Sequence, residues 1–132
     1  MKAHLQVNIK PVPKARPRLD RYGKVYTPKS TLNYENAIMG EYIANNLPNF
    51  GDKSITVEIE FGFIPPASWS NKKKMLALKG ECIPSKGDLD NYVKAVLDAL
   101  NGIAYKDDRY IRKFICSKSY KENDLVDIKI YD

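Results

Sequence analysis

Asp88 and Asp90 stand two residues apart, and Lys94 follows Asp90 at a spacing of four. A second acidic pair, Asp107–Asp108, closes the stretch Gly87–Asp108, GDLDNYVKAVLDALNGIAYKDD. Carboxylates gathered in one place repel one another and call for a cation. Mg²⁺ suits them, because it prefers hard oxygen ligands and binds through a few carboxylates, waters and substrate phosphates. Two such ions about 3.5–4 Å apart can activate a water and stabilise the leaving oxygen of a phosphodiester. A nearby lysine can oppose the charge that grows on the phosphate. Each residue also has a plainer reading. Asp88 can be a helix N-cap and Asp90 a favourable first-turn charge. Asp90 and Lys94 can be a surface pair worth a few tenths of a kcal/mol, and Asp107–Asp108 a solvated turn.

Other chemistries fit less well. An EF-hand loop starting at Asp88 needs an acid or Asn and then Gly where Tyr92 and Val93 stand. There is no GxxxxGK[ST] or GxGxxG motif, and the single histidine, His4, leaves little room for Ser–His–Asp catalysis. One histidine and no CxxC also argue against zinc. Two cysteines, Cys82 and Cys116, make no disulfide framework and read as reduced thiols of a cytoplasmic protein. No apolar run is long enough to span a membrane, and the N-terminus lacks the apolar core of a secretion signal. No small-molecule substrate is implied.

The charge points to a polyanion. The chain of 132 residues carries net +6, and the segment Lys2–Lys29 holds eight bases against one acid, Asp20. The remainder is nearly neutral. Within that segment Lys14, Arg16, Arg18 and Arg21 are interleaved with Tyr22 and Tyr26, and a second basic run is Lys72–Lys73–Lys74. This pattern suits phosphate contacts, which give affinity with little sequence information.

The elements that must position these residues follow from periodicity. Leu89, Tyr92, Val93, Val96, Leu97 and Leu100 predict a helix over Asp88–Asn101 with Gly102 just beyond it. That helix puts Asp90, Asn91, Lys94 and Asp98 on its solvent face and Asp88 at its mouth. Alternation predicts strands at His4–Lys10, Ile55–Phe63, Ile111–Ser117 and Leu125–Tyr131, the last two joined by the turn Lys121–Asp124. Pro11 and Pro13 end the first strand. Lys14–Lys29 reads as an extended basic loop or irregular hairpin. A second helix is expected from a Ser30 or Thr31 cap to about Asn46, with Tyr34, Ala37, Ile38 and Tyr42 as its apolar stripe. Pro65–Gly87 reads as a lysine-bearing loop with a short helix around Lys72–Leu78, and Tyr105–Arg109 as a polar turn. The expectation is a single α+β domain over 1–132: a two-layer mixed sheet with two main helices.

Asp88-Leu-Asp-Asn-x-x-Lys94, followed by Asp98-Ala-Leu and Asp107-Asp108, resembles the RusA family of Holliday junction resolvases. Lys14-Ala-Arg-Pro-Arg, Tyr26-Thr-Pro and Tyr34-Glu are similar to its phage and prophage branch, and the resemblance runs from about Pro13 to the C-terminus. It implies a RusA-like fold and a Mg²⁺-dependent endonuclease, with Mn²⁺ as an alternative ion. It implies a homodimer that nicks four-way DNA junctions at paired symmetric positions during recombination and repair, in the cytoplasm of a bacterium or phage-infected host. The family's metal-binding acids carry over to Asp88, Asp90 and Asp108, and its essential lysine to Lys94. Some members place an arginine-rich run before the first acids. Here only Lys86 stands there, which shifts the expected DNA contacts to Lys72, Lys73, Lys74 and the N-terminal bases. Exposed strand edges or aromatics such as Tyr34, Phe61 and Tyr131 are candidates for the dimer interface, and Trp69 is either a base-stacking or a loop-anchoring residue. Two other functions fit the same residues: a non-catalytic module that binds branched DNA, and a structure-specific nuclease for forks or flaps.

Overall fold

The computed structural model describes residues 1–132. The elements in chain order are β1 (Lys2–Val7), β2 (Arg18–Leu19), β3 (Val25–Tyr26), α1 (Lys29–Ala44), β4 (Ile55–Phe63), α2 (Asn71–Leu78), α3 (Leu89–Leu100), β5 (Ile111–Tyr120) and β6 (Leu125–Tyr131). Four strands form a mixed sheet in the order β1-β6-β4-β5. β6 is antiparallel to both of its neighbours, and β4 and β5 run parallel. β2 and β3 make a separate two-stranded ribbon. The α+β class is the one expected.

Alternation decides which face is dry. Ala3, Leu5 and Val7 lie in register with Ile130, Ile128 and Val126, which pair in turn with Val57, Ile59 and Phe61. All nine are buried. Tyr34, Ile38 and Tyr42 of α1 cover this face together with Tyr92, Val93, Val96 and Leu100 of α3. Burial of each large apolar side chain contributes about 1.5–3 kcal/mol, which makes this layer the main source of stability. The opposite face carries His4, Gln6, Glu58, Glu60, Asp127 and Lys129. His4 Nε2 meets Asp127 at 2.6 Å, which makes it a paired strand residue. No helix is long and apolar enough to cross a membrane.

Several boundaries differ from the expectation. β1 lies earlier than His4–Lys10, because β6 extends far enough to pair Tyr131 with Lys2. α1 starts at Lys29 with Pro28 in the N-cap position and no side-chain cap bond. Thr31 therefore does not cap: it lies within the first turn, buried, its hydroxyl without a partner. Ala37 is exposed, so the apolar stripe is Tyr34, Ile38 and Tyr42. β5 continues past Ser117 to Tyr120. Tyr105 is no part of a polar turn. It is buried, and its hydroxyl donates to the Leu97 carbonyl at 2.8 Å.

Candidate active site

Parallel strands cannot be joined by a tight turn and need a long crossover. The chain between Phe63 and Ile111 is that crossover, and it carries Asp88, Asp90, Lys94, Asp107 and Asp108. Its entry into α3 is held from three sides. Tyr92 packs on Phe61 and Phe63 with ring centroids 5.6 and 5.4 Å away. The Tyr92 hydroxyl donates to the Lys86 carbonyl at 2.9 Å. Lys118 of β5 donates to the Gly87 carbonyl at 3.0 Å. Gly87 has φ +81°, which disfavours any residue with a Cβ.

At this fixed entry Asp88 takes the N-cap position of α3, yet its carboxylate makes no capping hydrogen bond. Asp90 sits one residue inside the helix. Asp88, Asp90 and Lys94 are exposed, and none of the three forms an ion pair. Of the plain readings, the N-cap position of Asp88 and the first-turn charge of Asp90 hold, whereas the capping hydrogen bond and the Asp90–Lys94 pair are absent. Both carboxylates lie by the helix N-terminus, whose free N–H groups favour negative charge.

The second acidic pair follows the buried plug Ala104–Tyr105, which fixes the loop after α3. Phe50 N–H donates to the Ala104 carbonyl at 2.7 Å, and Lys106 N–H to the Gly51 carbonyl at 3.0 Å. A 3₁₀ turn over Asp108–Tyr110 then leads into β5. The two acids differ. Asp107 accepts the Arg109 N–H at 3.0 Å, which with its hydrogen bond to Asp108 holds its carboxyl below the usual range. Asp108 is pushed up by that same hydrogen bond, by burial, and by the charges of Asp107 and Asp98, against the opposing pull of Lys94. Asp107 is the turn-forming member of the pair.

Lys94 lies one helical turn from Asp90, and its charge reaches as far as Asp108. Asp88 and Asp90 are not among the groups that act on Asp108. No three Asp, Glu, His or Cys side chains converge closely enough to hold a metal ion between them. The donors nevertheless fit Mg²⁺. They are hard, ionisable oxygens, those of Asp88 and Asp90 without a cap bond or ion pair and that of Asp108 shared only with Asp107, and this ion characteristically takes one or two carboxylates and completes its shell with water and substrate phosphate.

The basic residues fall into distinct environments. Lys14 is tied down: its ammonium meets Glu35 at 2.7 Å and Asp98 at 3.0 Å, and its N–H donates to the Asn91 carbonyl at 2.9 Å. Burial works against the Lys14 charge, but the hydrogen bonds and attraction of the two carboxylates outweigh it and leave its pKa raised. Lys14 is therefore the clasp that fixes the basic segment to α3. Arg16, Arg18 and Arg21 are exposed beyond it, as are Lys72, Lys73 and Lys86, and Lys74 is half-buried. Ser70 caps α2 by accepting the Lys73 N–H, and the Lys73 ammonium lies 4.0 Å from the centre of the Trp69 ring. Trp69 also stacks edge-on with Tyr120 at 5.4 Å, so it anchors the loop. Lys118 escaped sequence reasoning. Its signal was the alternation Phe114, Cys116, Lys118, Tyr120, which sets it on the helix-facing side of β5.

An α+β domain that presents unpaired acids and a lysine beside a long basic segment has the pattern that suits a phosphate-binding class of protein. Comparison narrows the class. The family described as Endodeoxyribonuclease RusA matches residues 8–131. The chain belongs to the RusA endodeoxyribonuclease family. It is also similar to YqaN of Bacillus subtilis (strain 168), described as an uncharacterized protein, with 42% identity over 81 residues. That match covers 61% of this chain and 57% of the length of YqaN.

Proposed function

We propose that this chain is a divalent-cation-dependent endodeoxyribonuclease that resolves four-way DNA junctions by paired nicks, acting as a homodimer in recombination and repair. The observation that carries the reading is the state of Asp88 and Asp90: exposed, unpaired carboxylates at the mouth of a helix whose entry is locked by Tyr92 and Lys118. Membership of the RusA family supports it. Mg²⁺, or Mn²⁺ in its place, would be bound by Asp88 and Asp90 at the helix mouth and reach Asp108 through water and substrate phosphate, and would supply the Lewis acid that activates water and stabilises the leaving oxygen. Lys94, one helical turn after Asp90, would oppose the negative charge growing on the scissile phosphate. Arg16, Arg18, Arg21, Lys72, Lys73, Lys74 and Lys86 contact flanking phosphates, and Lys14 holds the first three in place.

A four-way junction offers two equivalent strands, and a two-fold dimer sets one site on each. Tyr34 and Phe61 are buried and drop out as interface residues. β5 borders the sheet and leaves Phe114 and Ile115 exposed, which suits it better to meet a second copy.

The test is Asp90→Asn, assayed on labelled junction, fork, flap and linear duplex with Mg²⁺ and with EDTA. Cleavage of the junction is abolished and junction binding is retained. Cleavage at near wild-type rate refutes the assignment. A wild-type protein that cuts forks or flaps in preference to junctions replaces the substrate, and one that binds junctions without cutting them replaces the activity.

A further inference from the structure

The ribbon of β2 and β3 is held by its own backbone pairing and is exposed along both strands. Between Arg16 and Tyr26 every residue except Asp20 is exposed, and the chain leaves the body after the anchored Lys14 and rejoins it at the buried Pro28. The turn at the tip is tightly built. One oxygen of Asp20 accepts the N–H groups of Tyr22 and Lys24 at 2.8 and 2.9 Å. Asp20 N–H bonds to the Lys24 carbonyl, and Gly23, at φ +78°, donates to the Asp20 carbonyl. The one acid of the arm is thus spent on its own backbone.

This rigid projection displays apolar groups to water. Leu19 is 67% exposed, Tyr22 79% and Val25 63%. Leu19 and Val25 are directly paired and share one face of the ribbon. Tyr22 stands at the tip with the Arg21 guanidinium 5.0 Å from its ring centre. Arg16, Arg18, Arg21 and Lys24 surround them with positive charge. Nucleic acid offers phosphates for these four charges and base faces for the apolar groups in one ligand, and the acid-poor arm suits that polyanion. The arm is also in range. Its base is bonded to Asn91 beside Asp90, and Tyr22 lies eight positions beyond Lys14, a reach of at most ~29 Å. That is less than one turn of B-DNA, roughly 34 Å.

We infer that residues 18–26 form a wedge that opens the branch point of the DNA: Tyr22 stacks on a base freed from its neighbour, Leu19 and Val25 cover the unstacked step, and Arg18, Arg21 and Lys24 hold the flanking phosphates. The inference rests on the reading of the chain as a branched-DNA endonuclease and adds the device that recognises the branch.

The experiment places 2-aminopurine at the centre of a four-way junction and measures its fluorescence together with affinity for the junction and for linear duplex. Wild-type protein raises the fluorescence. Tyr22→Ala removes most of that rise and lowers the preference for junction over duplex about tenfold, the scale of one lost base stack. Tyr22→Phe keeps both, because the ring suffices. Leu19→Ser/Val25→Ser weakens both, and circular dichroism confirms that these exposed positions leave the fold intact. Wild-type binding to junctions with unchanged signal and preference in Tyr22→Ala overturns the wedge alone. A wild type with no preference for branched DNA overturns both the wedge and the proposed function. A change in oligomeric state on Tyr22→Ala, with DNA behaviour unaltered, makes the tip a protein contact and also overturns the wedge.

Discussion

Gly87→Ala is the change that most directly tests how the acids are positioned. A Cβ built on Gly87 falls 2.7 Å from the Tyr92 hydroxyl oxygen, 2.9 Å from its Cε2 and 3.0 Å from its Cζ. The backbone there has φ +81°, which costs a residue with a side chain about 1–2 kcal/mol. Displacing the Tyr92 ring adds the hydrogen bond to Lys86, about 1 kcal/mol. It also disturbs the contacts with Phe61 and Phe63. A total near 3 kcal/mol follows, which lowers Tm by roughly 10 °C in a chain of this size. Urea and thermal unfolding followed by circular dichroism measure it. The coupling is diagnostic. Tyr92→Phe alone loses the hydrogen bond, and the double variant then costs less than the two single changes together, because the closest obstructing atom is gone. Cleavage of DNA falls further than the folded fraction does, since the next residue is Asp88 and the Gly87 carbonyl is where Lys118 attaches. A stability loss below about 1 kcal/mol, or strict additivity with Tyr92→Phe, would refute the picture of Tyr92 as the lock on this entry.

The double variant Arg16→Ala/Arg18→Ala is expected to weaken DNA binding and to reduce the slope of log affinity against log salt by roughly 1.8, at about 0.9 per phosphate contact; a slope equal to that of the wild type would remove both residues from the interface. Alkaline pH unfolds the protein from within. Burial raises the Tyr42 phenol from 10.0 to about 12, and those of Tyr34 and Tyr105 further still. The folded state therefore holds these protons more tightly than the unfolded chain, so their contribution is complete below pH 10.0 and declines as the pH rises through the folded values. Tyrosinate absorbance from these three groups appears together with loss of ellipticity, and their ionisation with the fold intact would contradict the assignment of their burial.

The elements most legible from sequence were those whose burial is decided by their own period. Ile55–Phe63 and Leu125–Tyr131 match their expected limits because buried apolar residues recur at every second position, Ile55 to Phe63 in one and Val126, Ile128 and Ile130 in the other. α3 was legible through the stripe from Leu89 to Leu100. Tyr105 was not, because its burial depends on a cavity lined by distant elements and its neighbours Lys106–Asp108 are polar. β5 read short because Lys118 and Ser119 interrupt its apolar run, although Lys118 points toward the helices to reach Gly87. The parallel pairing of β4 with β5 belongs to the tertiary level and leaves no local signature. In the site, sequence order located the acids, whereas their freedom from caps and ion pairs, and the clasp of Lys14 by Glu35 and Asp98, emerged only from the folded arrangement.

Every acid and lysine assigned to the site core lies inside one crossover, between the end of β4 and the start of β5. Pairing those two strands closes a loop of nearly fifty residues, a slow, non-local step in folding. Until it closes, Lys118 is far from Gly87 and Asp108 has no fixed relation to α3. A chain still emerging from the ribosome, or one partly unfolded, therefore carries the acids without their alignment. The topology acts as a safety catch on the proposed activity: the arrangement of the acids arrives only with the completed sheet and is lost as soon as its outer strand detaches.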